Sequence, residues 1–221
     1  PKKFFVYASQ FREECEVASG YGWELSQPEF RFDQFQEKKD KELKRLQGIY
    51  RGLMTKASVT ILDGKGVLLG PNTVEVDGQE YTAAHILVAT GGEPTVPDIE
   101  GAELGMVSDD IFALKTLPQR MAIVGGGYIA VELAGVLQLL GVHIDLFYRG
   151  PLFLRGFDSD LRIALREEMT KKGIHLYFDS NIESVVEKGN ALALHLSDGQ
   201  THETDQLLFA TGRRPRLEGL G

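Results

Sequence analysis

The chain has 221 residues, 43% of them hydrophobic, with 24 basic against 32 acidic side chains and a formal net charge of −8. That length buries one large core or two modest ones, and the acidic balance excludes nucleic acid as a general partner, because phosphate backbones select basic surfaces. No apolar run approaches the roughly eighteen residues of a membrane span, and PKKFFVYASQ has neither a long apolar signal core nor a small-residue cleavage site, so a soluble cytoplasmic protein with no membrane partner is expected.

Taken in order, Lys3 to about Ser19 predicts a helix with Phe4, Phe5, Ala8 and Phe11 near one face, ending in Gly20-Tyr21-Gly22. The single cysteine, Cys15, cannot form an internal disulfide and fits a reducing compartment. It reads either as a redox centre or as an idle thiol, and no basic neighbour is apparent to activate it. After a loop from Tyr21 to Phe32, Asp33 is placed to cap a long helix reaching about Lys56. Leu43, Leu46, Ile49, Leu53 and Met54 form its apolar stripe, and the charges from Glu37 to Glu42 read as a solvated face.

Ser58 to Ala89 is strand-rich, with strands predicted at Val59 to Leu62, Val67 to Leu69, Thr73 to Val76 and Ile86 to Ala89, and turns at Gly64-Lys65-Gly66 and Asp77-Gly78. ILVATGG reads as a buried strand ending in Thr90-Gly91-Gly92, and LLFATGRRP repeats that ending at Thr211-Gly212-Arg213. Between them, Glu93 to Gly105 holds Pro94 and Pro97 and reads as a linker. Ser108 is placed to cap a short helix through Leu114, and Pro118 marks a domain boundary.

Met121 to Asp158 is the most informative stretch. Met121 to Val124 is a short apolar run entering Gly125-Gly126-Gly127, and a helix pattern starts at once. Ile129, Leu133, Val136, Leu137 and Leu140 share one face, Gly141 supplies the stop, and His143 to Tyr148 returns as a strand. Gly125, Gly127 and Ala130 match G-x-G-x-x-G/A: a turn, a close approach of backbone to phosphate, and close helix–strand packing. The helix start supplies unpaired N–H groups and a favourable dipole for a pyrophosphate. At the end of the second strand stand Tyr148 and Arg149, with Arg155 six residues on. Two guanidinium groups suit the extra phosphate of an NADP-type coenzyme, whereas an NAD site would place Asp or Glu there. Asp145 is the rival for that acidic role but lies early in the strand.

Beyond the arginines, a helix from Asp158 to Lys172 precedes strands at Ile174 to Phe178, Ile182 to Val186 and Ala191 to Leu196, with a turn at Asp198-Gly199. His143, His175, His195 and His202 lie in or beside strands without metal-ligand spacing, and no metal is expected.

GGGYIAVELAG, LFYRGPLFLRGFD and LLFATGRRP together resemble the flavin-dependent pyridine nucleotide-disulfide reductase family, and within it the glutathione reductases. The resemblance implies an α/β fold in which a partial FAD-binding lobe, 1–117, precedes a Rossmann-like NADPH-binding lobe, 118–221. It implies FAD and NADPH as cofactors, glutathione disulfide as substrate, and a homodimer for the whole protein. Tyr128 matches the tyrosine covering the flavin face that receives the nicotinamide, and Glu132 the glutamate beside the nicotinamide. Lys2 matches the lysine beside flavin N5 that pairs with that glutamate. Gly125, Gly126, Gly127, Ile129, Ala130, Arg149, Arg155 and Gly212 fall on the NADPH side by the same resemblance; Gly66, Thr90, Gly91 and Arg213 fall on the FAD side. Tyr50 matches the tyrosine set against the disulfide substrate and Ile49 an isoleucine where trypanothione reductases have serine, although core packing is the competing reading of both. Pro1-Lys2-Lys3 resembles the PKK that follows the family's redox-active C-x-x-x-x-C, so this chain is expected to be an internal fragment, inactive alone, of a glutathione-disulfide reductase. A nucleotide-binding module without turnover and a reductase of another disulfide remain the alternatives.

Overall fold

The computed structural model describes residues 1–24 and 29–221; the expected loop from Tyr21 to Phe32 lies partly outside them. The chain forms two compact units, Pro1–Lys39 with Pro94–Gly212 and Asp40–Glu93 with Arg213–Gly221.

The first helix, α1 (Lys2–Ala18), buries Phe5 and Ser9, while Phe11 is 63% exposed, so its inner face is narrower than predicted. Phe5 is fully buried and meets Phe32, Phe35 and Phe112 edge-on, at ring-centroid distances of 6.1, 4.9 and 5.4 Å. Edge-to-face contact sets the positive rim of one ring against the negative face of the next. The second helix, α2 (Phe32–Lys56), begins one residue before the predicted cap Asp33, which becomes a first-turn acid. Lys39 is only 5% exposed and donates from Nζ to the Phe112 carbonyl at 2.5 Å, which corrects the reading of Glu37 to Glu42 as wholly solvated. A buried ammonium needs such an acceptor. The C-terminal part of the stripe is also not core: Ile49, Leu53 and Met54 are exposed.

In the second unit, β1 (Gly66–Gly70), β2 (Thr73–Val76) and β3 (Gln79–Thr82) form an antiparallel sheet in that order. The turn between β2 and β3 holds Asp77 and Gly78, both at positive φ, as the Asp-Gly pair predicts. The strands predicted at Val59 to Leu62 and Ile86 to Ala89 do not form, and Val59, Ile61, Leu62, Leu87 and Val88 are exposed. Among the described residues no strand pairs with either segment, and an extended chain without a ladder partner has no internal acceptor for its backbone groups. β4 (Gly92–Pro94) instead pairs with the last strand of the chain.

The first unit continues with β5 (Met106–Val107) and α3 (Ser108–Ile111). Ser108 is the first helical residue rather than the cap; the Asp110 carboxylate accepts the Val107 N–H at 2.8 Å, and the helix stops short of the predicted Leu114. Then follow β6 (Arg120–Val124), α4 (Tyr128–Leu139), β7 (His143–Phe147), α5 (Ser159–Lys171) and β8 (His175–Tyr177). Asp158 caps α5, accepting from the N–H groups of Asp160 and Leu161 at 2.9 and 3.3 Å. The chain closes with β9 (Ile182–Lys188), β10 (Ala191–Leu196), β11 (Thr201–Thr204), β12 (Gln206–Phe209) and β13 (Arg213–Pro215), the partner of β4.

A parallel sheet, β5-β12-β6-β7-β8, is the centre of this unit. Met121, Ile123, Ile144, Leu146 and Leu208 belong to one core with Leu133, Ala134 and Leu137 of α4. Ala122, Phe147, Leu207 and Phe209 belong to another with Ile182, Val185, Leu192 and Leu194 of the antiparallel sheet β11-β10-β9. Alternate residues of each strand thus serve different cores, as the pleat requires.

Phe5→Ala should lower unfolding free energy by about 3–5 kcal/mol in urea titration, because it empties a fully buried aromatic site. Phe11→Ala should stay within about 0.5 kcal/mol; equal losses would show that Phe5 does not anchor α1.

Candidate functional site

The chain reverses between β6 and α4 in three residues. Gly125 has φ of 148°, and a Cβ there would lie 2.3 Å from the Ala210 carbonyl oxygen. Its N–H donates to the Phe147 carbonyl at 2.9 Å, while the Ala210 N–H donates to the Val124 carbonyl at 2.8 Å. The turn is therefore held by the ends of β7 and β12, the strands on either side of β6, where strand order reverses and open α/β sheets bind ligands. A Cβ on Gly126 would run into the Tyr148 ring at 2.3 Å. Gly127 differs: it is the N-cap residue of α4, and nothing lies within 4 Å of where its Cβ would be. No side chain caps α4 and its first turn holds no acid, so its N-terminal dipole is left uncompensated. Ile129 is partly buried and Ala130 fully buried against the core, which gives the close helix–strand packing the third small residue was expected to allow.

The loop after β7 is tied to the same turn. The Leu154 N–H donates to the Gly126 carbonyl at 2.6 Å, and Arg162 donates from Nε to Phe153 O at 2.7 Å and from Nη2 to Leu152 O at 2.6 Å. Arg155 follows Leu154 directly, and Arg149 follows Tyr148, whose N–H donates to the Tyr177 carbonyl at 2.9 Å. Both arginines are exposed, and among the described residues neither makes an ion pair or a hydrogen bond. Asp145, the rival for the ribose, is 3% exposed and committed elsewhere: Oδ1 lies 3.0 Å from His175 Nδ1 and Oδ2 3.1 Å from His202 Nε2. Burial works to raise its pKa, but the hydrogen bond and charge of His202, the charge of His143 and the hydrogen bond of His175 outweigh it and hold the carboxyl below its ordinary range.

Lys2 Nζ lies 2.6 Å from Glu132 Oε2, joining the first turn of α1 to the first half of α4, and both side chains are half-exposed. Arg12, which donates to the Leu139 carbonyl at 3.2 Å, and the Glu13–Lys172 ion pair fix the other end of α1. Tyr128, first residue of α4, is 59% exposed. At the C-terminal end of β12, Gly212 accepts the Thr95 N–H at 2.9 Å, and Thr211 Oγ1 donates to Thr95 O at 2.5 Å.

Within the second unit, Gly66 opens β1 opposite Val76. Thr90 Oγ1 donates to Arg216 O at 2.6 Å, the Gly91 carbonyl accepts the Arg216 N–H at 3.0 Å, and Arg213 Nη2 donates to Gly92 O at 2.5 Å. Ile49 and Tyr50 are 44% and 64% exposed, so core packing does not explain them.

Sequence spacing showed no metal-ligand set among the histidines, yet the structure brings donor atoms of His143, Asp145 and His175 within 4.8 Å of one another. Half of the signal was present: His143 and Asp145 are two apart and share a face of β7. The other half is the β7–β8 register, which sets Asp145 opposite His175 and cannot be read without the sheet order.

A strand, a glycine turn and an uncapped helix at the switch point of a parallel sheet define a Rossmann-type dinucleotide-binding unit. The family model for pyridine nucleotide-disulphide oxidoreductases matches residues 1–221, and the chain belongs to that family. It is 42% identical over 221 residues to a glutathione reductase of Burkholderia cepacia, all of this chain against 49% of that protein. It is 39% identical to a glutathione reductase of Nostoc sp., again 49% of that protein, and 39% identical to the chloroplastic/mitochondrial glutathione reductase of Pisum sativum, 40% of that protein. The chain thus spans about half the length of the curated relatives it matches first. An HOCl-induced flavoprotein disulfide reductase from Escherichia coli shares the fold, with a TM-score of 0.84 at 23% identity over all of this chain and 48% of that one. Among the described residues, no helix is long and apolar enough to cross a membrane.

Gly125→Ala should destabilise the chain by at least about 1–3 kcal/mol from backbone strain alone, whereas Gly127→Ala should cost less than about 1 kcal/mol. Equal losses on urea unfolding would show that the Ala210 carbonyl does not constrain the turn.

Proposed function

We propose that the chain carries the NADPH site and part of the FAD site of an NADPH-dependent glutathione-disulfide reductase. Residues 1–117 would belong to its FAD-binding domain and 118–221 to its NADPH-binding domain. The observation that carries the reading is the pair Arg149 and Arg155: two exposed guanidinium groups without partners among the described residues, on a loop bonded to the glycine turn. Two like charges set on one short loop, with no carboxylate among the described residues paired to either and Asp158 spent on capping α5, favour an anion brought from outside.

The residues fit a dinucleotide. The vacant space at Gly127 admits a diphosphate beside the backbone, and the uncapped first turn of α4, from Tyr128 through Ile129 to Ala130, supplies N–H groups to it. Gly125 and Gly126 shape the turn, and Gly212 closes the neighbouring strand end. The 2′-phosphate then falls to Arg149 and Arg155. Tyr128, exposed at the helix start, is free to swing aside as the nicotinamide arrives. Lys2 and Glu132 form a neutral pair that would place a proton donor and its counter-charge beside the flavin. Gly66, Thr90, Gly91 and Arg213 are the further FAD contacts by the family resemblance. When bound, the nicotinamide supplies hydride and the flavin passes the electrons to a disulfide.

For the acceptor, the three glutathione reductase relatives and Ile49 favour glutathione disulfide, with exposed Tyr50 set to meet it. The net charge of −8 disfavours nucleic acid as a partner. A reducing, cytoplasmic setting is supported by the single cysteine, and a homodimer by the family resemblance.

Arg149→Ala and Arg155→Ala should each weaken NADPH binding by about 10- to 100-fold, the worth of a hydrogen bond to a charged group, and leave NADH binding nearly unchanged. Titrating both coenzymes checks this; equal loss for the two would overturn the assignment of the phosphate.

A further inference from the structure

Away from the glycine turn, the side of the parallel sheet that carries Phe147 and Tyr177 holds a second group of ligand-type residues. His143 is the first residue of β7, Asp145 lies two residues on, and His175, first residue of β8, stands opposite Asp145 in the ladder. His143 Nε2 is 3.6 Å and His175 Nδ1 3.0 Å from the same oxygen, Asp145 Oδ1. All three donor atoms lie within 4.8 Å of one another. We propose that His143, Asp145 and His175 form a binding site for a divalent transition-metal ion of the zinc type, independent of the dinucleotide site.

Zinc with imidazole and carboxylate ligands takes bonds of about 2.0–2.2 Å, which places neighbouring ligand atoms of a tetrahedron about 3.3–3.6 Å apart. The two separations from Asp145 bracket that spacing, and the third pair, His143 with His175, lies within 4.8 Å, so rotation of the two half-exposed imidazoles is what has to close the set. Two imidazoles with one carboxylate are a donor set suited to zinc and leave a position for water. The surroundings supply what such a site needs. His202 Nε2, on β11, lies 3.1 Å from Oδ2 and holds the carboxylate oxygen that the metal does not use. The His143 and His175 side chains are 45% and 52% exposed, giving the ion access, while the Asp145 side chain is 4% exposed and fixed. Arg120, the cation whose charge reaches Asp145, is already held by Asp205 through Nε and Nη2 at 3.1 and 2.6 Å. The competing reading is that the histidines merely satisfy a buried carboxylate. It accounts for the bonds from His175 and His202 and, through charge, for His143, whose Nε2 stands 3.6 Å from the same oxygen and whose ring meets that of His175 edge-on; only the metal reading requires His143 and His175 to act together on one ion.

The test is Zn²⁺ affinity of the full chain, measured by competition with a chromophoric chelator, with Co²⁺ as a visible-absorbing substitute. One ion per chain is expected, with cobalt bands of a low-coordinate site. His143→Ala and His175→Ala should each lose at least about tenfold in affinity, His202→Ala about 10- to 100-fold as an outer-shell partner, and His195→Ala, which sits elsewhere on β10, nothing. Because His143 and His175 are half-exposed, both variants should keep the circular dichroism of the parent. Unchanged Zn²⁺ affinity in the His143 and His175 variants, or no binding by the parent chain, overturns the proposal.

Discussion

The first unit depends on a crowding constraint at one peptide. Gly125 sits where β6, β7 and β12 converge, its N–H spent on the Phe147 carbonyl and the space for its side chain taken by the Ala210 carbonyl. With no room for a Cβ and a φ that L-residues rarely adopt, only glycine satisfies both conditions. The turn can then be short enough to start α4 directly above the sheet edge. A longer connection would carry the helix dipole away from the strand ends, and the N–H groups of the first turn would not converge with the β7 loop.

That convergence is what turns a fold into a site. The loop carrying Arg149 and Arg155 is fastened by the Leu154 hydrogen bond to Gly126 and by the two bonds from Arg162 to Phe153 and Leu152. Fixing the loop in advance removes ordering entropy that a bound phosphate would otherwise have to offset. The two arginines stay exposed and without an ion pair among the described residues, so under the proposed reading little desolvation would be lost until an anion arrived. The Lys2–Glu132 pair follows the opposite logic: half-exposed charges at 2.6 Å contribute modestly to stability, but they orient the start of α1 against α4.

Local physics made the nucleotide half legible. β6, the glycine turn, α4 and β7 each follow from short-range pattern, and their predicted bounds differ from the observed ones by a residue or so. The parts that failed depend on partners distant in sequence. ILVATGG has the composition of a buried strand, yet Leu87 and Val88 are exposed because nothing among the described residues pairs with them. Lys39 looked solvated within a charged run, but the Phe112 carbonyl 73 residues away accepts its ammonium. Phe11 had the right spacing for the α1 core, but on that helix it is Phe5 that meets the aromatic group of Phe32, Phe35 and Phe112, while Phe11 is left 63% exposed. The same limit hid the Asp145 cluster, since β8 and β11 supply two of its three histidines.

Asp145 also shows why the identity of a coenzyme cannot be read from an acid at roughly the right spacing. Its place in the middle of β7 puts the carboxylate within the layer between the parallel sheet and β11, where His202 and His175 hold its oxygens. The strand runs two residues further before the chain leaves the sheet, so the groups that project past the C-terminal edge are those after Phe147. If the chain binds a nicotinamide coenzyme as proposed, the residue that selects between the two forms lies beyond the last ladder bond of β7. Here the first charged side chain in that position is Arg149.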